Sequence, residues 1–200
     1  MSRERGKADV LHEHVLFLEK FLRSPIRTGA VAPSSAELAE RITSDIGLEE
    51  AGTIVELGPG TGAFTGAIVK RRREGARLVA VELDPNFARR VQERFPEVKV
   101  LNIHAEDLPQ HLGDTPCVDS VVSGLPWAAF DSDLQGRILR SVCSVMRPGG
   151  RFATFAYAHA SWLPPGQRFR RLLDASFSKV ELTPVVWKNL PPAFVYRCQK

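Results

Sequence analysis

The chain has 200 residues, 44% of them hydrophobic and 25% charged, with a net charge of +4. A chain of this length can bury about 70% of the surface that its unfolded form exposes, and this balance excludes a disordered or collagen-like protein. Cys117, Cys143 and Cys198 are odd in number and widely spaced, with no C-x-x-C, which argues against a disulfide framework or a zinc site and for a reducing, cytoplasmic setting; no metal is expected.

Residues 8–23 carry Leu11, Val15, Leu18 and Leu22 at helical spacing, with Val10, Phe17 and Phe21 widening the stripe and Lys7, Lys20 and Arg23 among the polar positions. Such a helix can lie in a bilayer interface, pack as a lid on its own domain, or do both. No run of about 18 apolar residues occurs, and charges at Arg3, Glu4, Arg5, Lys7 and Asp9 precede no signal-like apolar region, so neither a spanning helix nor a signal peptide is expected. After Pro25 comes a turn-rich connector, 28–33, and Ser34-Ser35 offers an N-cap for a second helix through Ile42.

From residue 53 short apolar runs alternate with helical periods. Strands are expected at 54–57, 77–83, 98–103, 118–123, 151–158, 180–187 and 193–198, and helices at 63–73, 86–94, 132–146 and 167–175. Near-continuous apolar strands separated by crossover helices imply an α/β fold, a mostly parallel sheet covered on both faces. The last two strands have no helix between them and are expected to form an antiparallel edge hairpin. The simplest division is a helical extension over 1–45 and one domain over 46–200.

Charge is uneven along the chain: residues 1–30 carry six Lys/Arg against four Asp/Glu, residues 31–161 fourteen against seventeen, and residues 162–200 seven against two. Basic ends suit an anionic partner such as a phosphorylated ligand, a nucleic acid or an anionic membrane, though an excess this small also suits a merely solvated surface.

The sharpest local signal is Val55-Glu56-Leu57-Gly58-Pro59-Gly60-Thr61-Gly62 at the end of the first strand. Glycines there let the backbone turn tightly and approach a ligand, while the next helix presents free N–H groups. The second strand ends in Val81-Glu82-Leu83-Asp84, where a carboxylate can hold a ribose with two free hydroxyls, and the third is followed by His104-Ala105-Glu106-Asp107, where another can accept from an adenine amine. Acids at strand ends also serve as helix caps, but the joint spacing favours a ligand.

The G-x-G-x-G spacing differs from the G-x-G-x-x-G of nicotinamide and flavin folds. With Glu82 and Asp107 it resembles the class I S-adenosylmethionine-dependent methyltransferases over roughly residues 53–160. The resemblance implies a Rossmann-like sheet, S-adenosylmethionine as cofactor and S-adenosylhomocysteine as product. It also implies a cofactor site on Gly58, Gly60 and Gly62 under the methionine part, Glu82 on the ribose and Asp107 on the adenine, with Gly29, Glu56, Leu83, Glu106 and Ser123 completing the set.

The fourth strand ends in Ser123-Gly124-Leu125-Pro126-Trp127, which is similar to the Asn-Leu-Pro-Tyr/Phe of enzymes that methylate adenine N6 in ribosomal RNA, except that Gly124 stands where those have Asn. The amide that would orient an adenine amine is missing, and the helical C-terminal domain of the RNA enzymes is not expected here. The stretches 21–35, 123–127 and 187–197 are instead similar to bacterial phospholipid N-methyltransferases. This second resemblance implies stepwise methylation of phosphatidylethanolamine towards phosphatidylcholine by a peripheral enzyme on the inner face of the membrane. Its partners would be phosphatidylethanolamine, its methylated forms and an anionic membrane met through the N-terminal helix, with no nucleic acid expected.

The acceptor must present a neutral amine in line with the methyl group, so Tyr157 and His159, just beyond the fifth strand, are candidates to contact it. Trp127, Tyr157 and Trp162 could hold a methylated cation against aromatic faces, and Arg197 is one of several C-terminal cations suited to a headgroup phosphate. An RNA adenine N6-methyltransferase and a binding protein that holds S-adenosylmethionine without turnover are the alternatives.

Overall fold

In the computed structural model the described residues are 34–112 and 117–200. The helix read over 8–23 and Gly29 therefore lie outside them. Helix α1 (Ala36–Thr43) starts where Ser35 accepts a hydrogen bond from the Leu38 N–H at 3.1 Å, as its N-cap sequence predicts. Then follow β1 (Thr53–Leu57), α2 (Ala63–Arg71), β2 (Arg77–Val81), α3 (Pro85–Arg94), β3 (Lys99–Leu101), α4 (Leu108–Leu112) and β4 (Val118–Ser123). The chain continues through α5 (Ser132–Val145), β5 (Met146–Tyr157), α6 (Pro164–Ser176), β6 (Lys179–Leu182) and β7 (Ala193–Gln199).

The seven strands form one sheet in the order β3-β2-β1-β4-β5-β7-β6. All pairs from β3 to β5 are parallel, and β7 runs antiparallel to both β5 and β6, so the expected edge hairpin is present. Side chains alternate between the two faces with the period of two that a strand imposes. Ile54, Leu78 and Ala80 face a core completed by Leu38, Ile42, Phe64 and Ile68 of α1 and α2. Val55, Leu57, Val79 and Val81 face another completed by Ile138, Leu139 and Val142 of α5 and Phe169 and Leu173 of α6. Helix α1 is thus part of the packed sheet domain, with Leu38 and Ile42 fully buried.

Several boundaries differ from the expected ones by a few residues, and three departures have a physical reason. Strand β5 begins at Met146, because Met146 pairs with Val118 ahead of an irregularity that readmits Arg151 opposite Ser120. Strand β6 ends at Leu182, since Pro184 has no N–H to offer the ladder and the Thr183 hydroxyl accepts from the Val195 N–H at 3.0 Å. Helix α4, five residues long, is too short to show a period. Among the described residues no helix is long and apolar enough to cross a membrane, and no group of His, Cys, Asp or Glu is arranged to hold a metal.

Asp119 ties the amino end of the sheet together: Oδ2 accepts from the N–H groups of Gly52 and Thr53 at 2.8 and 2.7 Å, and Oδ1 pairs with Arg147 at 2.6 Å. Replacing Asp119 with Ala leaves two N–H groups without their charged acceptor, and denaturant unfolding should show a loss of about 2–3 kcal/mol.

Candidate active site

The parallel strands end along one edge, and the strand order reverses there between β1 and β4, the crevice where open α/β sheets take their ligands. The glycine loop leaves β1 at this point. Gly58, Gly60 and Gly62 have φ of +66°, +53° and +82°, conformations that a side chain makes costly. The loop is fastened on both sides: the Gly58 N–H donates to the Val81 carbonyl at 2.8 Å, and the Gly124 N–H donates to the Leu57 carbonyl at 2.7 Å. Gly62 opens α2 in a left-handed conformation with no side-chain cap, so the first turn of this helix faces the crevice with its N–H groups.

Gly124 is held at closer quarters than the loop glycines. A Cβ there would stand 2.6 Å from the Gly58 carbonyl oxygen, a backbone atom that cannot swing aside. Glycine at this position is therefore a packing requirement, and an amide side chain is excluded unless the loops move apart.

Two buried carboxylates flank the loop. Glu82 Oε2 accepts from the Gly60 N–H and Oε1 from the Asp84 N–H, each at 3.0 Å. Burial raises its pKa, opposed by these N–H groups. Asp84 has a different task, capping α3 through the N–H groups of Asn86 and Phe87 at 2.7 and 3.2 Å. Glu56, fully buried one residue before the end of β1, has neither oxygen hydrogen-bonded among the described residues. Burial pushes it up to about 8; Thr65 alongside moderates the shift without reaching good hydrogen-bond geometry, and the Glu82 charge adds to it.

The remaining expected cofactor residues divide. Asp107 ends a 3₁₀ turn over Ala105–Asp107, partly buried, with no side-chain hydrogen bond to the described residues. Glu106 beside it is engaged, accepting from Arg137 Nε at 2.7 Å and so fixing the turn to α5. Leu83 and Glu82 share a fastening that sequence reasoning missed: Asn102 Nδ2 donates to both backbone carbonyls, at 2.9 and 2.8 Å. The Ser123 hydroxyl, fully buried, accepts from Trp127 Nε1 at 3.0 Å, which turns it towards the aromatic core.

Beyond β4 and β5 lies a pocket of about 210 Å³, walled by Trp127, Phe155, Tyr157, Phe169 and Tyr196, with His159 and Ser161 at its polar side. Trp127 is itself a core residue, 2% exposed and stacked on Phe169 at 4.7 Å, so its face is already covered. Tyr157 and His159 come together as expected, their rings parallel within 13° at 5.9 Å. Burial pushes the Tyr157 phenol up to about 12, so at neutral pH it keeps its proton. Arg197 is placed elsewhere. Its guanidinium pairs with Asp45 at 2.9 Å and donates to Ser44 Oγ at 2.7 Å and to the Arg41 carbonyl at 3.2 Å, fastening β7 to the end of α1 away from the pocket. The expectation that it meets a headgroup phosphate is corrected: this guanidinium is spent within the fold.

A reversing parallel sheet with a glycine loop and an acid on each of the next two strand ends defines a Rossmann-like methyltransferase that depends on S-adenosylmethionine. Residues 54–150 match the model of the methyltransferase domain family, and the chain belongs to that family. It is 36% identical over 196 residues to an ornithine lipid N-methyltransferase of Singulisphaera acidiphila, spanning 94% of this chain and 97% of that protein. A ribosomal RNA small subunit methyltransferase A of Thermotoga petrophila is 26% identical over 149 residues, which cover 72% of this chain and 53% of that protein. Among solved structures, an O-methyltransferase of Bacillus cereus in complex with SAH superposes with a TM-score of 0.62 at 16% identity, covering 96% of this chain and 91% of that one. The residues present fit S-adenosylmethionine: the three loop glycines hold positive φ along the crevice with no side chain between their backbone and a ligand, and Glu56 keeps a buried carboxyl group with no hydrogen-bond partner among the described residues for a cationic or hydrogen-donating group.

Two outcomes follow. Glu56 ionises at 4.5 in the unfolded chain and at about 8 in the folded one, so over this window the folded protein binds more protons. The contribution of Glu56 to the stability of the ligand-free protein should be full below pH 4.5 and fall, by about 1 kcal/mol per pH unit, as pH rises through the window. Glu56→Gln should flatten most of this slope in denaturant titrations, leaving the smaller share of Glu82, which has the same sign. Gly124→Ala should lower stability by about 1–3 kcal/mol and weaken S-adenosylmethionine binding measured by calorimetry, because the two loops must separate.

Proposed function

We propose that this enzyme transfers methyl groups from S-adenosylmethionine to the primary amine of a membrane lipid, with phosphatidylethanolamine as the first acceptor and its monomethyl and dimethyl forms as successive ones. The observation that carries the reading is the aromatic pocket beyond β4 and β5, which has no carboxylate among its lining residues. End-to-end similarity to a lipid N-methyltransferase supports it. That relative's ornithine lipid also presents a primary amine and is the second reading. Similarity to the ribosomal RNA enzymes is weaker and covers about half of their length, and Gly124 leaves no space for the amide that the Asn-Leu-Pro-Tyr/Phe resemblance would require.

When bound, S-adenosylmethionine supplies a methyl group on a sulfonium, activated for attack by a lone pair. Gly58, Gly60 and Gly62 would carry the backbone under its methionine part, Glu56 would meet the amino group there, Glu82 would hold the ribose hydroxyls and Asp107 the adenine amine. The protein's task at the acceptor is to present a neutral amine. A pocket of aromatic walls penalises the ammonium form and favours the amine, and the same rings attract the bulkier cation that forms as methyl groups accumulate. Tyr157, protonated at neutral pH, orients the amine by hydrogen bonding and does not serve as a base. His159 is the group that takes the amine's proton and passes it to solvent, for which its exposed position suits it.

The test is labelled methyl transfer to phosphatidylethanolamine, to ornithine lipid and to unmodified ribosomal RNA in parallel. Label in a lipid is expected; label in RNA alone overturns the reading. His159→Ala should lower kcat by about tenfold to a hundredfold, whereas Tyr157→Phe should mainly raise KM for the lipid.

A further inference from the structure

Among the described residues five large hydrophobic side chains are exposed: Trp162 at 81%, Trp187 at 76%, Leu190 at 61%, Leu163 at 53% and Leu182 at 52%. Their distribution is one-sided. Trp162 and Leu163 follow β5, Leu182 ends β6, and Trp187 and Leu190 lie on the connection to β7. Since β5 and β6 both run antiparallel to β7, all five leave the sheet at the same edge as the glycine loop.

Charge on these segments is also one-sided. Residues 158–171 and 183–192 contain Arg168, Arg170, Arg171 and Lys188 and no Asp or Glu. Arg170 is engaged by Asp174, and Lys188 approaches Glu37 at 3.9 Å, but Arg168 and Arg171 have no ion-pair partner among the described residues. Between the apolar and the basic groups runs an open groove of about 610 Å³, with Trp162, Leu182, Val185, Phe194 and Arg171 on its walls. The groove meets the aromatic pocket, the two sharing Ser161 and Tyr196.

We propose that this edge, centred on Trp162, Leu163 and Leu182 and flanked by Arg168 and Arg171, docks directly on an anionic lipid bilayer, and that the groove is the path by which a lipid headgroup passes from the bilayer to the pocket. The proposal rests on the lipid-amine reading above for its groove and on the surface itself for its docking. Tryptophan and leucine gain free energy by entering the interfacial layer, and arginines beside them meet anionic headgroups. A protein partner would call for acids or hydrogen-bonding groups of mixed sign on the rim, and these segments provide no acid. None of the residues of this surface belongs to the stretch 8–23, so the two make separable predictions.

The experiment uses the full chain with vesicles of phosphatidylcholine, pure or mixed with phosphatidylglycerol. In a Trp187→Phe background Trp127 is buried, so a change in tryptophan emission reports Trp162. Sedimentation with the anionic vesicles, a blue shift of Trp162 and its quenching by lipids brominated in the acyl chain are expected. Leu163→Ser with Leu190→Ser, or Arg168→Glu with Lys188→Glu, none of which lines the groove or the pocket, should weaken sedimentation by about tenfold or more. Both variants should still transfer methyl groups to a short-chain, water-soluble phosphatidylethanolamine, which also shows that they are folded. Sedimentation with Trp162 emission unmoved and both variants binding like the parent would overturn the docking surface. Failure of methyl transfer to any lipid by the parent chain would instead overturn the functional reading and leave the docking result standing.

Discussion

The contact between Gly58 and Gly124 is the constraint on which the rest of the site depends. Strand order reverses between β1 and β4, so the loops leaving these neighbouring strands must pass one another at the crevice. They pass with backbone against backbone: Gly124 donates to the Leu57 carbonyl at 2.7 Å, and no Cβ fits between it and Gly58. The contact fixes the glycine loop from the acceptor side, as the Gly58 bond to Val81 fixes it from the other. It also determines what the β4 loop can offer a substrate, since a position closed to every side chain cannot carry an amide.

On either side of this contact the molecule makes opposite choices. The β1 and β2 side buries carboxylates, Glu56 and Glu82, at a cost that shows in their raised pKa values. Glu82 is held in place by backbone N–H groups, whereas Glu56 has no such partner. The β4 and β5 side gathers aromatic rings, with Trp127, Phe169 and Tyr196 packed against one another, and leaves polar chemistry to Tyr157, His159 and Ser161. An acidic half suited to a cationic cofactor thus adjoins an aromatic half, the side on which we propose that the acceptor enters. The exposed tryptophans and leucines continue the aromatic half outward, beside the groove that shares Ser161 and Tyr196 with the pocket.

The sheet and the position of the loop are legible in the amino-acid pattern alone. Apolar runs at 54–57 and 118–123 are long enough, and their glycine and acidic endings specific enough, to locate β1 and β4 and the edge where chemistry belongs. Periodicity was silent where partners rather than propensity set the ends: β5 starts at Met146 because Val118 pairs with it, and β6 stops at Leu182 because Thr183 and Pro184 turn the chain away. Which side chains are left over for function is settled by the folded neighbours. Glu106 and Asp107 are adjacent acids in sequence, yet Arg137, 31 residues beyond Glu106, takes only the first. Arg197 looks like a free cation until the fold sets Asp45 and Ser44 beside it, and Gly124 looks like a lost amide until Gly58 comes within contact distance. Local pattern fixes what a residue is and which strand carries it; long-range neighbours fix whether its charge or its space is already taken.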